Sequence, residues 1–282
     1  MKPTLVLLHG IGGNAAGFAS LVAAFQALGW PTLAWSQPGY DGTALIEPYD
    51  LAGCARALGG WLAAQRLGRV VLVGHSMGGM LAQTLSAQTL SAQTSSAETS
   101  SAQSANTSAS EGFAIAGLVL AHTSPAFGNP GGDFQQRFIA ARTRALDEGR
   151  SMLEVATALV PGMMAPAASA EARRAGVTMM AAVPPQTYRR AVAAIAAFDG
   201  RAHLGSIEVP TLCLAAALDQ TAAPTVLQRM AQRIPGADYQ CLDGVGHLAP
   251  IEDTPRWAAA VAAWCRRRIA PEASPAHPGS RS

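Results

Sequence analysis

Short apolar runs alternate with longer helical patterns along the chain, and this rhythm limits the possible folds more than any other feature. Each run is apolar at successive positions, as in a strand buried on both faces. The six runs lie at residues 4–8, 32–35, 70–73, 118–121, 211–215 and 239–242. The pattern predicts an α/β fold with a mostly parallel central sheet flanked by helices. Functional residues are then expected at the carboxyl ends of the strands.

The segment GHSMGG at residues 74–79 follows one apolar run and precedes a helical pattern. In a tight strand-to-helix turn of the form G-x-S-x-G, the serine projects beyond the sheet as a nucleophile. Gly74 and Gly78 are needed because side chains there would collide with neighbouring backbone. The alternative role of Ser76 is a helix N-cap, but a cap does not need both glycines. The motif therefore predicts that Ser76 is a nucleophile.

A serine hydroxyl becomes a good nucleophile when a base takes its proton and an acid orients that base. His247 follows the last apolar run in LDGVGHLAP, and Asp219 follows the preceding run in LAAALDQTAAP. The order serine, aspartate, histidine is typical of this kind of sheet. Asp243 is a rival acid, but it lies four residues from His247 and would need a loop reversal. We therefore predict a catalytic triad of Ser76, Asp219 and His247.

The segment LLHGIGGN at residues 7–14 ends the first apolar run. Negative charge that develops on a carbonyl oxygen needs preorganised donors, and the backbone N–H groups of Ile11 and Met77 are placed to form this oxyanion hole. Gly10 permits the turn. A phosphate-binding loop is the alternative, but the segment has neither G-x-G-x-x-G spacing nor a P-loop lysine.

Other residues with reactive or flexible side chains compete for a place at the site. His122 follows an apolar run directly, so we assign it to the substrate pocket. Met163 and Met179 are further pocket candidates, although methionines at helical spacing also suit a plain core. His9 and His75 lie in turns, where we expect the backbone to matter more than the ring.

The chain divides into a core and two kinds of insertion. Residues 1–124 and 200–269 are predicted to form the core, and residues 125–199 a helical lid over the sheet edge. Within the first part, residues 86–110 repeat small polar side chains that have little to bury, so we expect a disordered loop. Residues 270–282 are expected to form a disordered tail.

Composition excludes several classes of partner. The 282 residues are 49% hydrophobic and carry a net charge of +2, which gives no field suited to nucleic acid or an anionic membrane. The four cysteines have no metal-binding spacing, and the first apolar run is too short for a secretory leader. We expect a cytoplasmic protein with a small-molecule substrate and no cofactor or metal. Its oligomeric state is left open.

Five segments together resemble the α/β-hydrolase superfamily: HGIGGN, SQPGY, GHSMGG, LDQTAAP and GVGHLAPIEDTP. The resemblance is strongest to small cap-bearing bacterial members, which include enol-lactonases, carboxylesterases and meta-cleavage-product hydrolases. It implies an α/β-hydrolase fold with an inserted helical lid and the same triad and oxyanion hole. The chain departs from the usual pattern at Ser36, Gln37 and Thr43, and at Ala216, where glycine is common. None of these positions belongs to the triad.

The resemblance and the motifs together imply a cofactor-independent serine hydrolase. It would cleave a small, largely apolar ester, thioester or lactone through an acyl-enzyme. One alternative is C–C bond hydrolysis of meta-cleavage products by the same triad, with a lid arginine holding the substrate carboxylate. The candidate arginines are Arg137, Arg142, Arg189 and Arg190, which also suit solvated helix faces. The other alternative is a ligand-binding receptor on a hydrolase scaffold.

Overall fold

The computed structural model describes residues 1–99, 112–128 and 132–270. Within these ranges, one six-stranded parallel sheet has the strand order β2-β1-β3-β4-β5-β6. The strands are β1 (Thr4–Leu8), β2 (Thr32–Trp35), β3 (Gly68–His75), β4 (Phe113–Ala121), β5 (Thr211–Ala216) and β6 (Asp238–Leu242). The predicted α/β fold class is confirmed, and each apolar run of the sequence became a strand.

Helices cover both faces of this sheet. The helices are α1 (Ala19–Ala27), α2 (Leu51–Gln65), α3 (Met77–Thr99), α4 (Asp133–Asp147), α5 (Met152–Met163), α6 (Ala170–Ala181), α7 (Pro185–Ala197), α8 (Pro224–Arg233), α9 (Ala249–Glu252) and α10 (Thr254–Arg268). Successive side chains of a strand point to opposite faces. Val6 and Leu72 therefore pack in the core that includes α2, α3 and α8, whereas Leu7 and Val71 pack in the core that includes α1 and α10.

Helix α3 corrects the prediction for the start of the low-complexity repeat. The sequence predicted a loop from residue 86, but α3 continues to Thr99. The physical reason is that extending an existing helix costs much less than nucleating one, and alanine and glutamine extend helices well. Tertiary contact adds to this, since the amide of Gln88 donates to the carbonyl of Ala52 in α2 at 3.2 Å. The rest of the repeat, and tail residues 271–282, lie outside the described residues.

Helices α4 to α7 form a helical insertion between β4 and β5. Its two ends meet: the N–H of Gly200 donates to the carbonyl of Pro125 at 2.7 Å, and Ala126 pairs with Asp199 in an antiparallel bridge. Local signals fix its helices, as in α5, where Ser151 and Glu154 form a reciprocal capping box. The bridge closes the base of the insertion beside the sheet.

Among the described residues, no helix has the length and apolar character needed to span a bilayer.

Candidate active site

Ser76 lies in the turn between β3 and α3, with a backbone φ of +55°. This left-handed conformation is unfavourable for a residue with a Cβ atom and persists only where the surroundings hold it. The N–H of Ser76 donates to the carbonyl of Ala121 at 2.9 Å, and the hydroxyl of Thr123 donates to the carbonyl of Ser76 at 2.7 Å. The end of β4 therefore holds the strained turn.

The two glycines of the turn are required by neighbouring backbone. A Cβ atom on Gly78 would lie 2.1 Å from the carbonyl oxygen of Leu8, and one on Gly74 would lie 2.3 Å from the carbonyl oxygen of Gly78. Because both obstacles are main-chain atoms, no side-chain rotation relieves these collisions. Glycine at both positions lets the turn pack against β1 and leaves the Ser76 side chain at the edge of the sheet.

The structure brings together the three side chains predicted to act on one another. The Ser76 Oγ and His247 Nε2 atoms lie 3.0 Å apart, and His247 Nδ1 lies 2.9 Å from Asp219 Oδ2. A carboxylate only accepts, so Nδ1 carries the ring proton and Nε2 is free to accept from the Ser76 hydroxyl. The hydroxyl is therefore bonded to the histidine rather than capping α3. Asp243, the rival acid, is exposed.

Asp219 is fully buried and receives several donors. Its Oδ1 atom accepts the backbone N–H groups of Thr221 and Ala222, each at 2.8 Å, while Oδ2 accepts the His247 ring proton. A buried carboxylate needs such donors because desolvation penalises the charge. The arrangement can hold an ionised aspartate behind the histidine and stabilise an imidazolium that forms there.

The backbone of His247 is fixed from two sides. The His75 Nε2–H group donates to the carbonyl of His247 at 2.8 Å, and the N–H of His247 donates to the carbonyl of Met163 at the end of α5 at 2.8 Å. The Glu252 carboxylate accepts the N–H of Gly246 at 3.1 Å and the N–H of Ala165 at 2.8 Å. The loop that carries the histidine is therefore hydrogen-bonded to the helical insertion.

The two N–H groups assigned to the oxyanion hole flank Ser76. His9 Nδ1–H and the N–H of Gly13 both donate to the carbonyl of Gly10, at 2.9 and 3.0 Å. A trans peptide directs its N–H away from its carbonyl, so the N–H of Ile11 faces the opposite side. The N–H of Met77 begins α3 and has no intrahelical acceptor. Neither N–H has a backbone acceptor among the described residues.

The rings of His9 and His75 both form hydrogen bonds, contrary to the expectation that the backbone matters more than the ring at these positions. The N–H of Gln37 donates to His9 Nε2 at 3.2 Å, which places the ring proton on Nδ1, where it holds Gly10. Burial lowers the pKa of His9 to about 4 and that of His75 to about 3, so both rings are neutral donors near neutral pH. No sequence pattern signals either role. The carbonyl bound by His75 is 172 positions away, and the bond from His9 to the neighbouring Gly10 depends on a ring orientation that Gln37 sets.

A mostly apolar pocket opens above Ser76. It holds about 570 Å³ of space not occupied by protein atoms, part of it open to solvent. Its wall combines the Ser76 turn and the loop after β1 with residues of the insertion. Met163 and Met179, both predicted pocket residues, line it, as does Met180. A mainly apolar lining with a few convergent polar groups is typical of a small-molecule site.

His122 does not line this pocket, so its assignment there was wrong. The residue is fully buried behind Asp219, and its ring accepts a hydrogen bond from Trp257 Nε1 at 3.0 Å. The sequence placed it at the correct sheet edge. The side chain turns inward because its backbone, at φ +50°, departs from the strand direction.

The four candidate arginines of the insertion fall into two groups. Arg137 is exposed, Arg189 pairs with Asp147, and Arg190 pairs with Glu47 at 2.6 Å, so these three suit solvated helix faces. Arg142 is half-buried on α4 and lines the pocket. It forms no ion pair with any described residue. Within the described ranges, no cluster of three histidine, cysteine or acidic residues is placed to hold a metal.

Solved structures with a similar fold include two esterases and an enol-lactonase. The thermophilic esterase from Thermogutta terrifontis has a TM-score of 0.77 at 20% identity, with 95% of this chain and 92% of that chain covered. The esterase from Exiguobacterium antarcticum has a TM-score of 0.77 at 18% identity, covering 94% and 92%. The enol-lactonase from Burkholderia xenovorans LB400 has a TM-score of 0.73 at 23% identity, covering 94% and 91%. Likeness at such identities concerns the fold alone.

Two curated relatives and one family also match the sequence. The 2-succinyl-6-hydroxy-2,4-cyclohexadiene-1-carboxylate synthases of Klebsiella pneumoniae subsp. pneumoniae and Pectobacterium atrosepticum are 34% and 33% identical over 84 and 82 residues. These segments cover 30% and 29% of this chain and 32% of each relative, about a third of its length. The model of the Alpha/beta hydrolase family, in contrast, matches residues 5–261. The chain therefore belongs to the alpha/beta hydrolase family.

Proposed function

We propose that the protein is a cofactor-independent serine hydrolase that cleaves a small, largely apolar ester, thioester or lactone. The observation that carries this proposal is the continuous hydrogen-bonded chain from Asp219 through His247 to Ser76, in which Ser76 and His247 line the pocket. Family membership and the esterase and lactonase folds support the same reaction class.

In the proposed reaction, Ser76 Oγ attacks the substrate carbonyl while His247 Nε2 takes the hydroxyl proton. The N–H groups of Ile11 and Met77 donate to the oxygen that becomes negative. Asp219 stabilises the imidazolium without taking its proton. Collapse of the tetrahedral intermediate breaks the bond to the leaving group, which departs with the proton from His247 and leaves an acyl-enzyme.

The second half of the reaction releases the acid. His247 removes a proton from water, the resulting hydroxide attacks the acyl carbonyl, and the proton returns to Ser76 as the ester bond breaks. Preorganisation limits the cost of these steps, because His75 and Met163 already hold the backbone of His247.

The pocket supports an apolar acyl or ring portion. Val160, Met163 and Met179 from the insertion, together with Ile11, give it a mainly apolar wall. We infer that the insertion acts as a lid that excludes bulk water during attack. Flexible methionine side chains can adapt to several apolar shapes. Such a wall suits an acyl group better than a rigid, polar substrate group.

The test of this proposal is covalent labelling combined with turnover of short-chain esters and lactones. Wild-type protein should take one fluorophosphonate adduct, and Ser76→Ala should remove both labelling and turnover. Asp219→Asn should lower turnover by orders of magnitude while folding is retained, since the three residues act as a unit. Ser20→Ala, which changes an exposed serine, is the control. A wild-type chain that binds ligands but is neither labelled nor active would instead favour a receptor.

Arg142 favours a second candidate, C–C bond hydrolysis of a substrate that carries a carboxylate. Its guanidinium lies at an otherwise mainly apolar pocket and over the ring of Phe138, 5.4 Å from the ring centre. Burial raises the pKa of Tyr188, and the positive charge of Arg142 opposes that shift. A partly desolvated guanidinium without a carboxylate partner gains most from an anionic ligand. The relatives from Klebsiella and Pectobacterium are named for a carboxylate product.

Two esters that differ only by a terminal carboxylate, and a dienoic ketone acid, separate these candidates. Arg142→Gln should lower kcat/KM for the carboxylate-bearing ester by ~10- to 100-fold, the value of one charged hydrogen bond, and leave the neutral ester unchanged. Arg137→Gln is the matched control. An equal effect of Arg142→Gln on both esters would remove the arginine from substrate binding. Failure of wild-type protein to cleave the ketone acid would reject the second candidate.

A further inference from the structure

We propose that His122 is a positioning residue that stabilises the negative charge of Asp219, in addition to the hydrogen bond from His247. This inference rests on the proposed hydrolase function, because it concerns the acid of the same triad. It assigns a role to a buried histidine that the reaction itself does not use.

The ring orientation of His122 follows from its partner. Trp257, which is fully buried in α10, donates its Nε1–H group to His122 Nε2 at 3.0 Å. An indole N–H can only donate, so Nε2 is the acceptor nitrogen and a neutral His122 carries its proton on Nδ1. The backbone is fixed too, since the N–H of His122 donates to the carbonyl of Leu214 in β5 at 2.9 Å.

The Nδ1–H group of His122 lies close to the carboxylate. The Nδ1 and Asp219 Oδ2 atoms are 3.8 Å apart, and both side chains are fully buried. Nδ1 has no hydrogen-bond partner among the described residues. At 3.8 Å the contact is too long for a direct hydrogen bond, but a dipole near a charge acts strongly where water is excluded. The unpaired donor therefore lies beside Oδ2, the same oxygen that accepts the hydrogen bond from His247 Nδ1.

The histidine rings around Asp219 add no positive charge that would outweigh the His122 N–H dipole. His75 at the end of β3 faces both His247 and His122, with ring centres 5.2 and 5.6 Å away. Burial lowers the pKa of His75 to about 3 and that of His122 well below its usual value, so both rings stay neutral at working pH. Asp219 is then the anion of the cluster until His247 takes the proton of Ser76.

The direction of the effect follows from charge. A donor beside Asp219 stabilises the state in which His247 is neutral and the aspartate charge is unbalanced. It matters less once His247 is an imidazolium, because the pair is then neutral overall. Without this donor the pair would bind a proton more tightly, so the acid limb of the activity profile should move to higher pH.

Two substitutions separate the donor from the packing. His122→Leu removes the ring and its donor, whereas His122→Asn keeps a side-chain N–H close to the position of Nδ1. Both leave the Trp257 indole without its acceptor, so their difference reports the donor alone. The rate of fluorophosphonate labelling of Ser76 is measured against pH for full-length wild-type protein and both variants, together with kcat, KM and thermal unfolding.

We expect His122→Leu to move the acid limb upward by about half a pH unit with little change in KM. The plateau kcat should not fall, because the donor stabilises the neutral-histidine state more than the imidazolium. His122→Asn should reverse most of the pH shift. Equal profiles for wild-type protein and both variants, with folding retained, would mean that His122 only packs against Trp257. Wild-type protein that takes no label at all would instead refute the hydrolase function.

A measurement on unmodified protein covers the case in which the variants do not fold. Nitrogen chemical shifts of labelled histidine distinguish the two neutral tautomers near neutral pH. The proposal requires the Nδ1–H tautomer for His122. Assignment of this ring to the Nε2–H tautomer would overturn the proposal without reference to any variant or activity.

Discussion

At Ser76, backbone strain and close packing have the same origin. The turn reaches φ +55° because β3 must pass directly into α3, and Gly78 lies against the Leu8 carbonyl with no room for a methyl group. Strained conformations of this kind persist at functional sites where the surroundings hold them. The glycines of the motif therefore serve the backbone, while the serine alone presents a functional group.

At the residue scale we predict opposite effects for two glycine-to-alanine substitutions. Gly78→Ala should lower the free energy of unfolding by about 3 kcal/mol or more, because its Cβ atom meets main chain at 2.1 Å. Gly60→Ala, inside α2 with nothing within 4 Å of its Cβ position, should raise it by about 0.5–1 kcal/mol. Urea unfolding measures both. Similar stability of the two variants would show that the turn can relax.

Site residues that directly follow a strand could be predicted from the sequence. Ser76, Asp219 and His247 each follow an apolar run, and the sheet topology brings those ends together. The ring of His75 was not accessible, because its acceptor is a main-chain carbonyl 172 positions away. His122 was misassigned because the sequence gives the sheet edge at which a residue emerges, but not the direction of its side chain.

At the scale of elements, the sequence predicted the helices of the insertion but not the full length of α3. The sequence predicts an all-helical insertion between two strands, and α4 to α7 are present there. The end of α3 was missed, since a repeat poor in apolar residues was taken to lack the means of ordering. Helix propagation depends on the turn before it as well as on the residues themselves. Which insertion residues reach the pocket depended on helix rotation, which the spacing of methionines does not fix.

Also at this scale, we predict that Met179 in α6 limits the length of the acyl group. The Met179 sulphur packs so closely against Gly17 that a Cβ atom there would lie only 2.4 Å from it. A larger side chain at position 179 must therefore extend into the pocket, which Met179 lines. Met179→Phe should shift relative kcat/KM toward shorter acyl chains by ~10- to 100-fold. Leu153→Phe, on the exposed face of α5, is the control. A series of acyl esters gives the measurement, and unchanged preference would return Met179 to the core.

For the whole molecule, three buried neutral histidines predict loss of stability in acid. Burial lowers the pKa of His9 to about 4, that of His75 to about 3 and that of His122 well below 6.5. Between pH 6.5 and about 4 the unfolded chain therefore binds protons that the native protein does not. Their stabilisation is complete above pH 6.5 and is lost as the pH falls through this range, by up to about 4 kcal/mol per pH unit for three protons.

Urea midpoints measured from pH 7.5 to pH 4.5 test this expectation. His203→Gln, which changes an exposed histidine on the molecular surface, should leave the slope unchanged. A midpoint independent of pH in this range would mean that the buried rings are protonated in the native state.

The hydrogen bond from His247 to Met163 also bears on the timing of turnover. This bond joins the backbone of His247 to the end of α5, and Glu252 joins the same two segments. Displacing α5 would therefore also displace His247 from its position beside Ser76. We therefore expect that opening the pocket to bulk solvent and proton transfer by His247 would exclude each other. The substitution Glu252→Ala removes the hydrogen bonds that join these two segments. We expect it to slow hydrolysis of the acyl-enzyme more than its formation, which would appear as a larger pre-steady-state burst. Completion of the reaction would then depend on the insertion staying closed over the pocket, and not on Ser76 alone.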